Sequence, residues 1–246
     1  MLSVAVVFAI FYNGAHDDMV EAVIMALAAA LMFLIGFVDD VREISAPAKV
    51  VGTVAVGAVL VYYGVTMFYF RVPLIDVYIL SDSWVPLITV LWLLGMTNAI
   101  NLIDGLDGLA AGIVAIGAGA FFLYSTHLGD PKIGMLTQPN LGPFVSIIAV
   151  GICVGFLPHN FNPARVFMGD GGALLLGLLM AVSTSVVGGR ADPFVGQTYF
   201  FLAPLFIPLF ILGVPILDTL FAIVRRAAKR QGVASADKGH LHHRLM

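Results

Sequence analysis

The residues best suited to chemistry lie in four short stretches. The first runs Asn98-Ala99-Ile100-Asn101-Leu102-Ile103-Asp104-Gly105-Leu106-Asp107-Gly108, with an amide or carboxylate side chain at every third residue. On a helical or 3₁₀ stretch that spacing lines them along one face, and Gly105 and Gly108 permit a break and the close approach of a ligand. Buried Asn and Asp must find partners, so the pattern reads as a site for a metal and a polar ligand, or else as an interhelical hydrogen-bond ladder. The second stretch, Asn160 to Gly172, is a loop running into a Gly-rich helix start. Backbone N–H groups at such a start suit a phosphate, Asp170 beside them can hold Mg²⁺ that bridges to phosphate oxygens, and Phe167 can stack on a base. A simple Asp N-cap after a turn explains Asp170 and the glycines, but not their neighbours.

The third stretch is Asp39-Asp40, which follows the apolar run Leu31 to Val38. Alone, this pair is equally a solvated helix end with Arg42 as its counter-ion. The fourth, His240-Leu241-His242-His243-Arg244, closes the chain after the basic stretch Arg225 to Arg230. Three His suggest zinc, but no Cys accompanies them and oxygen ligands dominate elsewhere, which favours Mg²⁺ or Mn²⁺. His and Arg together suit polyanion recognition. Asp218, inside the last apolar run, is a further intramembrane candidate or a partner of Arg225.

The elements that must position these groups are written in the composition. Of 246 residues, 60% are hydrophobic and 11% charged, and the mean hydropathy is +1.01. Globular proteins carry about 25% charged residues, so a soluble enzyme is excluded. The apolar residues fall in runs of about 17 to 25, the length that crosses a hydrocarbon core about 30 Å thick. Alternation at period two is nowhere sustained, which argues against a transmembrane barrel. The fold class expected is therefore all-α, a polytopic transmembrane bundle of seven or eight segments, in a single integral membrane domain. Gly, Pro and charge clusters place helices over 19–38, 48–67, 84–101, 108–126, 141–157, 171–188 and 198–224. Met1 to Tyr12 is apolar but reaches only about 18 Å as a helix, a partial span, and it lacks the basic start and cleavage site of a signal peptide. The single Cys153 excludes an intrachain disulfide.

Scarce charge makes its placement informative. Nine of the twelve basic residues fall on one set of loops, and Arg71, Lys132 and Arg190 on the other, so the nine-residue side is expected to be cytoplasmic. That side also receives Asp39, Asp40, Asp104, Asp107 and Asp170 from three separate segments. Five carboxylates at one membrane face repel one another and invite a cation or a cationic group.

In combination and order these motifs resemble the polyprenyl-phosphate N-acetylhexosamine-1-phosphate transferases, the integral membrane family of the WecA and MraY type. The resemblance runs from about Phe33 to Arg244 and rests on Asp39-Asp40, the Asn98 to Ala110 segment, Val166 to Gly171 and the terminal His-x-His-His-Arg. It implies a membrane enzyme that transfers a sugar 1-phosphate from a UDP-sugar to a polyprenyl phosphate and releases UMP, with Mg²⁺ and a cytoplasmic active site in the cell membrane. It further implies that Asp170 ligates the metal with Asp104, and that Asp39 and Asp40 lie near the lipid phosphate and the metal. By the same resemblance Asn98, Asn101, Asp104 and Asp107 would shape the nucleotide side, and Asn160 and Phe167 look like uridine contacts. His240, His242, His243 and Arg244 look, by that resemblance, like diphosphate or sugar contacts.

Within the family the terminal His-x-His-His-Arg resembles the N-acetylglucosamine branch more than the peptidoglycan branch, whose members tend to show three consecutive His, and that likeness implies the start of cell-envelope polysaccharide synthesis. The alternative donor is UDP-N-acetylmuramoyl-pentapeptide. No nucleic acid partner is expected, and a homodimer is an analogy only. Two readings from other classes stand beside the enzyme: an ion-coupled transporter, which would put acids near the bilayer midplane within an internal repeat, and a structural membrane subunit. Against the family's motif order the chain reads as the catalytic middle of a longer enzyme. It also has Gly171-Gly172-Ala173 where members often carry Gly-Ser at the last two places.

Overall fold

The computed structural model describes residues 16–67, 69–72, 76–130 and 140–188. Within them the chain forms six helices: α1 (His16–Arg42), α2 (Ala46–Tyr62), α3 (Val85–Ile103), α4 (Leu109–Leu128), α5 (Gly142–Asn160) and α6 (Gly169–Gly188). Five of them, all but α2, are long and apolar enough to cross a membrane. At 17 residues α2 is about 26 Å long and just short of that length.

The helix boundaries follow local chemistry. Helices α2, α3 and α5 each carry Pro in the first turn, where the missing N–H has no carbonyl to pair with and the fixed φ suits the helix. The six sequence-derived spans that fall among the described residues are each matched by a helix. The largest departure is at 48–67, where the helix stops at Tyr62. Gly64 turns the chain at φ +81°, and the Val65 N–H closes the end on the Leu60 carbonyl. Apolar composition cannot reveal that stop, because Val65 and Met67 are buried as deeply as helix residues are. The connection to α3 holds one feature beyond the all-helical expectation, an antiparallel hairpin of β1 (Tyr69–Val72) and β2 (Asp76–Ile79) with Tyr69 opposite Ile79. The span expected over 198–224, the partial span at 1–12, Asp218 and the terminal His stretch lie outside the described residues.

Helix α6 is the axis of the bundle. In its span 89% of residues are buried, against 28–39% in the other four long helices, and it packs on α1, α3 and α5. Lipid tails are as apolar as Leu, so close packing and polar bonds must hold such helices together. Small residues provide the packing. At Gly36 of α1 a Cβ would lie 2.5 Å from the Gly171 nitrogen, and at Gly177 of α6 a Cβ would collide with the backbone of Thr97 on α3. Polar bonds add to this, among them that from the Trp92 indole N–H to Thr184 Oγ1 at 2.9 Å. Because the helices alternate in direction, the end of α1, the start of α2, the α3–α4 turn and the α5–α6 loop all meet at the end of the bundle where α6 begins.

Candidate active site

The last turn of α1 carries Asp39 and Asp40, about 100° apart around the helix, so neighbours in sequence face different partners. Asp39 Oδ2 pairs at 2.5 Å with the Nζ of Lys49, which stands in the first turn of α2. The same ammonium pairs with Asp170 Oδ2 at the start of α6. Lys49, and not Arg42, is therefore the cation between these carboxylates. All three side chains are largely shielded, 24% exposed for Lys49 and Asp170 and 12% for Asp39.

Asp40 turns to the start of α6 itself. Its Oδ1 accepts the Asp170 N–H at 2.8 Å and its Oδ2 the Gly171 N–H at 3.0 Å. Helix starts leave N–H groups unpaired and carry partial positive charge, and here a carboxylate from another helix satisfies both needs. The N–H groups that the sequence offers to a phosphate are thus already engaged at Asp170 and Gly171. Gly169 makes the approach feasible: its φ is +64°, and a Cβ there would sit 2.7 Å from Asp40 Oδ2.

The Asn98 to Asp107 series divides along its length. An α-helix advances about 100° per residue, so a three-residue repeat drifts by about 60° at each step and keeps only near members on one face. Asn98 is exposed, and its amide donates to the Leu94 carbonyl of its own helix at 2.7 Å, apart from the acids. Asn101 donates to Asp170 Oδ1 at 2.7 Å. Asp104 sits just beyond α3, where the helix ends, and its carboxyl is raised to about 6. Burial is the main cause, repulsion from Asp170 and Asp40 adds to it, and the Gly169 backbone N–H opposes it. Asp107 faces the α5–α6 loop, where its Oδ2 accepts from Asn162 Nδ2 at 3.1 Å and from the Ala164 N–H at 3.0 Å.

Asn160 is buried and spends both arms on scaffolding: Oδ1 accepts the Gly108 N–H at 2.9 Å, and Nδ2 donates to the Val166 carbonyl at 2.9 Å. With Asp107 it ties the α3–α4 turn to the loop that leads into Asp170. On that loop Phe167 is 75% exposed, a ring free to stack on a planar ligand. His240, His242, His243 and Arg244 lie outside the described residues.

Asp39, Asp40, Asp104 and Asp170 thus gather round the first turn of α6 with Lys49 among them, while Asp107 braces the loop beside them. Sequence reasoning about the site missed Lys49. Its signal was available, since a lone ammonium in the first turn of an apolar run is costly unless paired. Gly36, which lets α1 approach Asp170, carries no such signal.

A membrane-spanning helix bundle with an acidic, lysine-bridged end of this kind defines a multi-pass membrane protein built around one anionic site. The chain belongs to glycosyl transferase family 4, whose sequence profile matches residues 22–188. It is 37% identical over 244 residues to a probable undecaprenyl-phosphate N-acetylglucosaminyl 1-phosphate transferase of Bacillus subtilis, covering 99% of this chain and 63% of that protein. A decaprenyl-phosphate N-acetylglucosaminephosphotransferase of Mycobacterium leprae is 37% identical over 226 residues, 89% of this chain and 56% of the relative. A phospho-N-acetylmuramoyl-pentapeptide-transferase of Chlorobaculum parvum is also 37% identical, but over 65% of this chain and 49% of its own length. The chain therefore spans less than two thirds of the length of these relatives.

Proposed function

We propose that the protein transfers N-acetylglucosamine 1-phosphate from UDP-N-acetylglucosamine to a polyprenyl phosphate at the cytoplasmic face of the cell membrane, releasing UMP. The observation that carries this reading is the clustering of Asp39, Asp40, Asp104 and Asp170 at the start of α6. It is joined to a likeness over 99% of the chain to the Bacillus subtilis relative, a probable undecaprenyl-phosphate N-acetylglucosaminyl 1-phosphate transferase. The N-acetylmuramoyl-pentapeptide relatives match at similar identity but over a smaller share of the chain, which favours the N-acetylglucosamine donor.

The residues present fit Mg²⁺. Among the described residues no three His, Cys, Asp or Glu side chains form a ready-made cage. Mg²⁺ needs none, since it usually keeps several waters and takes one or two carboxylates plus substrate phosphates. Asp170 and Asp39 supply two hard oxygen donors that already share one cation, and Asp104, raised mainly by burial and further by repulsion from Asp170 and Asp40, lies beside them. The ion would neutralise charge on the diphosphate, the main need of phosphoryl transfer.

The chain's own groups do the rest. Asn101 holds the Asp170 carboxylate, Asp40 anchors the Asp170 backbone N–H, and the exposed Phe167 offers a stacking surface to uracil. The lipid phosphate oxygen attacks the β-phosphorus directly, the bond to the bridging oxygen breaks, and UMP leaves with that oxygen. A phosphate's second pKa is about 6, so at pH 7 the nucleophile is largely ionised and Asp39 acts mainly through its charge.

Membranes holding the protein should release UMP from UDP-N-acetylglucosamine when polyprenyl phosphate and Mg²⁺ are supplied, and Asp170→Ala should release none. Equal release by both proteins would refute the role of Asp170. Release only with the N-acetylmuramoyl-pentapeptide donor would move the protein to the other branch, and none with either donor would favour the non-enzyme readings. A phosphosugar adduct on the protein, trapped without lipid phosphate, would replace direct attack by a covalent route.

A further inference from the structure

The position of Lys49 carries a consequence for how the site takes up its cation. Its Nζ lies between Asp39 Oδ2 on α1 and Asp170 Oδ2 on α6, in hydrogen-bonding contact with both. On the metal reading given above, those two oxygens are among the hard donors that would hold a divalent ion. An ammonium and a metal ion cannot both fill that space. Lys49 has somewhere to go, because its side chain is 24% exposed and stands on four flexible carbons at the start of α2. Asp40 does not compete for the ammonium, since both of its oxygens are held by the α6 backbone.

We infer that Lys49 is a resident counter-ion that the divalent cation must displace from between Asp39 and Asp170. Lys49 acts here as a positioning residue: it keeps the two carboxylates in register before the ion arrives. The exchange adds charge where the transferred group adds negative charge, because +2 replaces +1 between the acids and the +1 remains close by. The inference rests on the metal reading given above.

The test uses the full chain in detergent micelles, with Mn²⁺ as the probe and free ion counted by electron paramagnetic resonance. A displaced ammonium about 5 Å from a divalent ion still repels it, so Lys49→Met should bind Mn²⁺ about tenfold more tightly than the parent protein, whereas Asp170→Asn should lose binding. Lys49→Arg, which keeps the charge, should stay within about threefold of the parent. Should Lys49→Met fold poorly, the parent protein still gives an answer. Acetylation of Lys49 by an amine-reactive reagent, followed by peptide mass spectrometry, should speed up as Mn²⁺ fills the site. Mn²⁺ binding that is unchanged or weaker in Lys49→Met, or a Lys49 acetylation rate that Mn²⁺ slows or leaves unchanged, would overturn the exchange while leaving the metal reading intact. No Mn²⁺ binding by the parent protein would overturn both.

Discussion

Replacing Asp40 with alanine removes two bonds that α1 makes to the start of α6, at 2.8 and 3.0 Å. A hydrogen bond to a charged group contributes about 1.5–3 kcal/mol net. The N–H groups are open enough for water to take the place of the lost carboxylate, so the lower end applies, about 3 kcal/mol for the pair. Removing one negative charge beside Asp104 and Asp170 relieves repulsion of about 1 kcal/mol. The expected cost is therefore about 2 kcal/mol, at the top of the range for losing a helix N-cap. Asp40→Asn keeps one neutral acceptor and should cost about 1 kcal/mol less than alanine. Unfolding in mixed micelles of rising SDS content, followed by tryptophan fluorescence, measures both, because Trp92 is bonded to Thr184 on α6. Transfer activity should fall with stability, since the Asp170 backbone loses its anchor. Stability of Asp40→Ala within about 0.5 kcal/mol of the parent, or a greater loss for Asn than for Ala, would refute the capping argument.

Three further outcomes follow from the same geometry. Asn101→Leu removes the 2.7 Å bond to Asp170 Oδ1 and should lower kcat by roughly 10-fold or more with little change in KM for the lipid, read from steady-state UMP release. Gly36→Val drives a side chain into the Asp170–Gly171 backbone and should prevent folding, seen as loss of the monodisperse peak in fluorescence-detected size exclusion, while Gly95→Ala, with open space beside it, should fold normally. Asp107→Ala frees the loop at Asn162 and Ala164, so trypsin should cut after the exposed Arg165 faster than in the parent, and KM for the UDP-sugar should rise several-fold.

Much of the bundle was legible because membrane helices announce themselves: a long apolar run in lipid must form helix to satisfy its own backbone, and Pro and Gly mark where it begins and ends. The convergence of acids on one end was legible for a related reason, since helices that alternate in direction return Asp39, Asp104 and Asp170 to the same face. Individual roles were less so. Asp107 reads as a ligand group from its type and spacing and Asn160 from the resemblance, yet Asn160 spends its amide on Gly108 and Val166, and Asp107 holds the loop at Asn162 and Ala164. A polar side chain near a site can equally bind or brace, and only its distances separate the two. The hairpin at Tyr69–Ile79 escaped because two strands of four residues are too short for alternation to register.

Composition, order and the 3.6-residue turn alone were enough for the membrane class, the six spans among the described residues and the acidic end, and the motifs in their order carried the family resemblance. Only the tertiary structure decided which carboxylate does what. Asp39 and Asp40 are adjacent in the chain, but the turn between successive residues sends one to Lys49 and the other to the backbone of α6. Partners 10 and 130 residues away settle those assignments, and contacts across such distances are set by how helices pack, which local sequence does not contain.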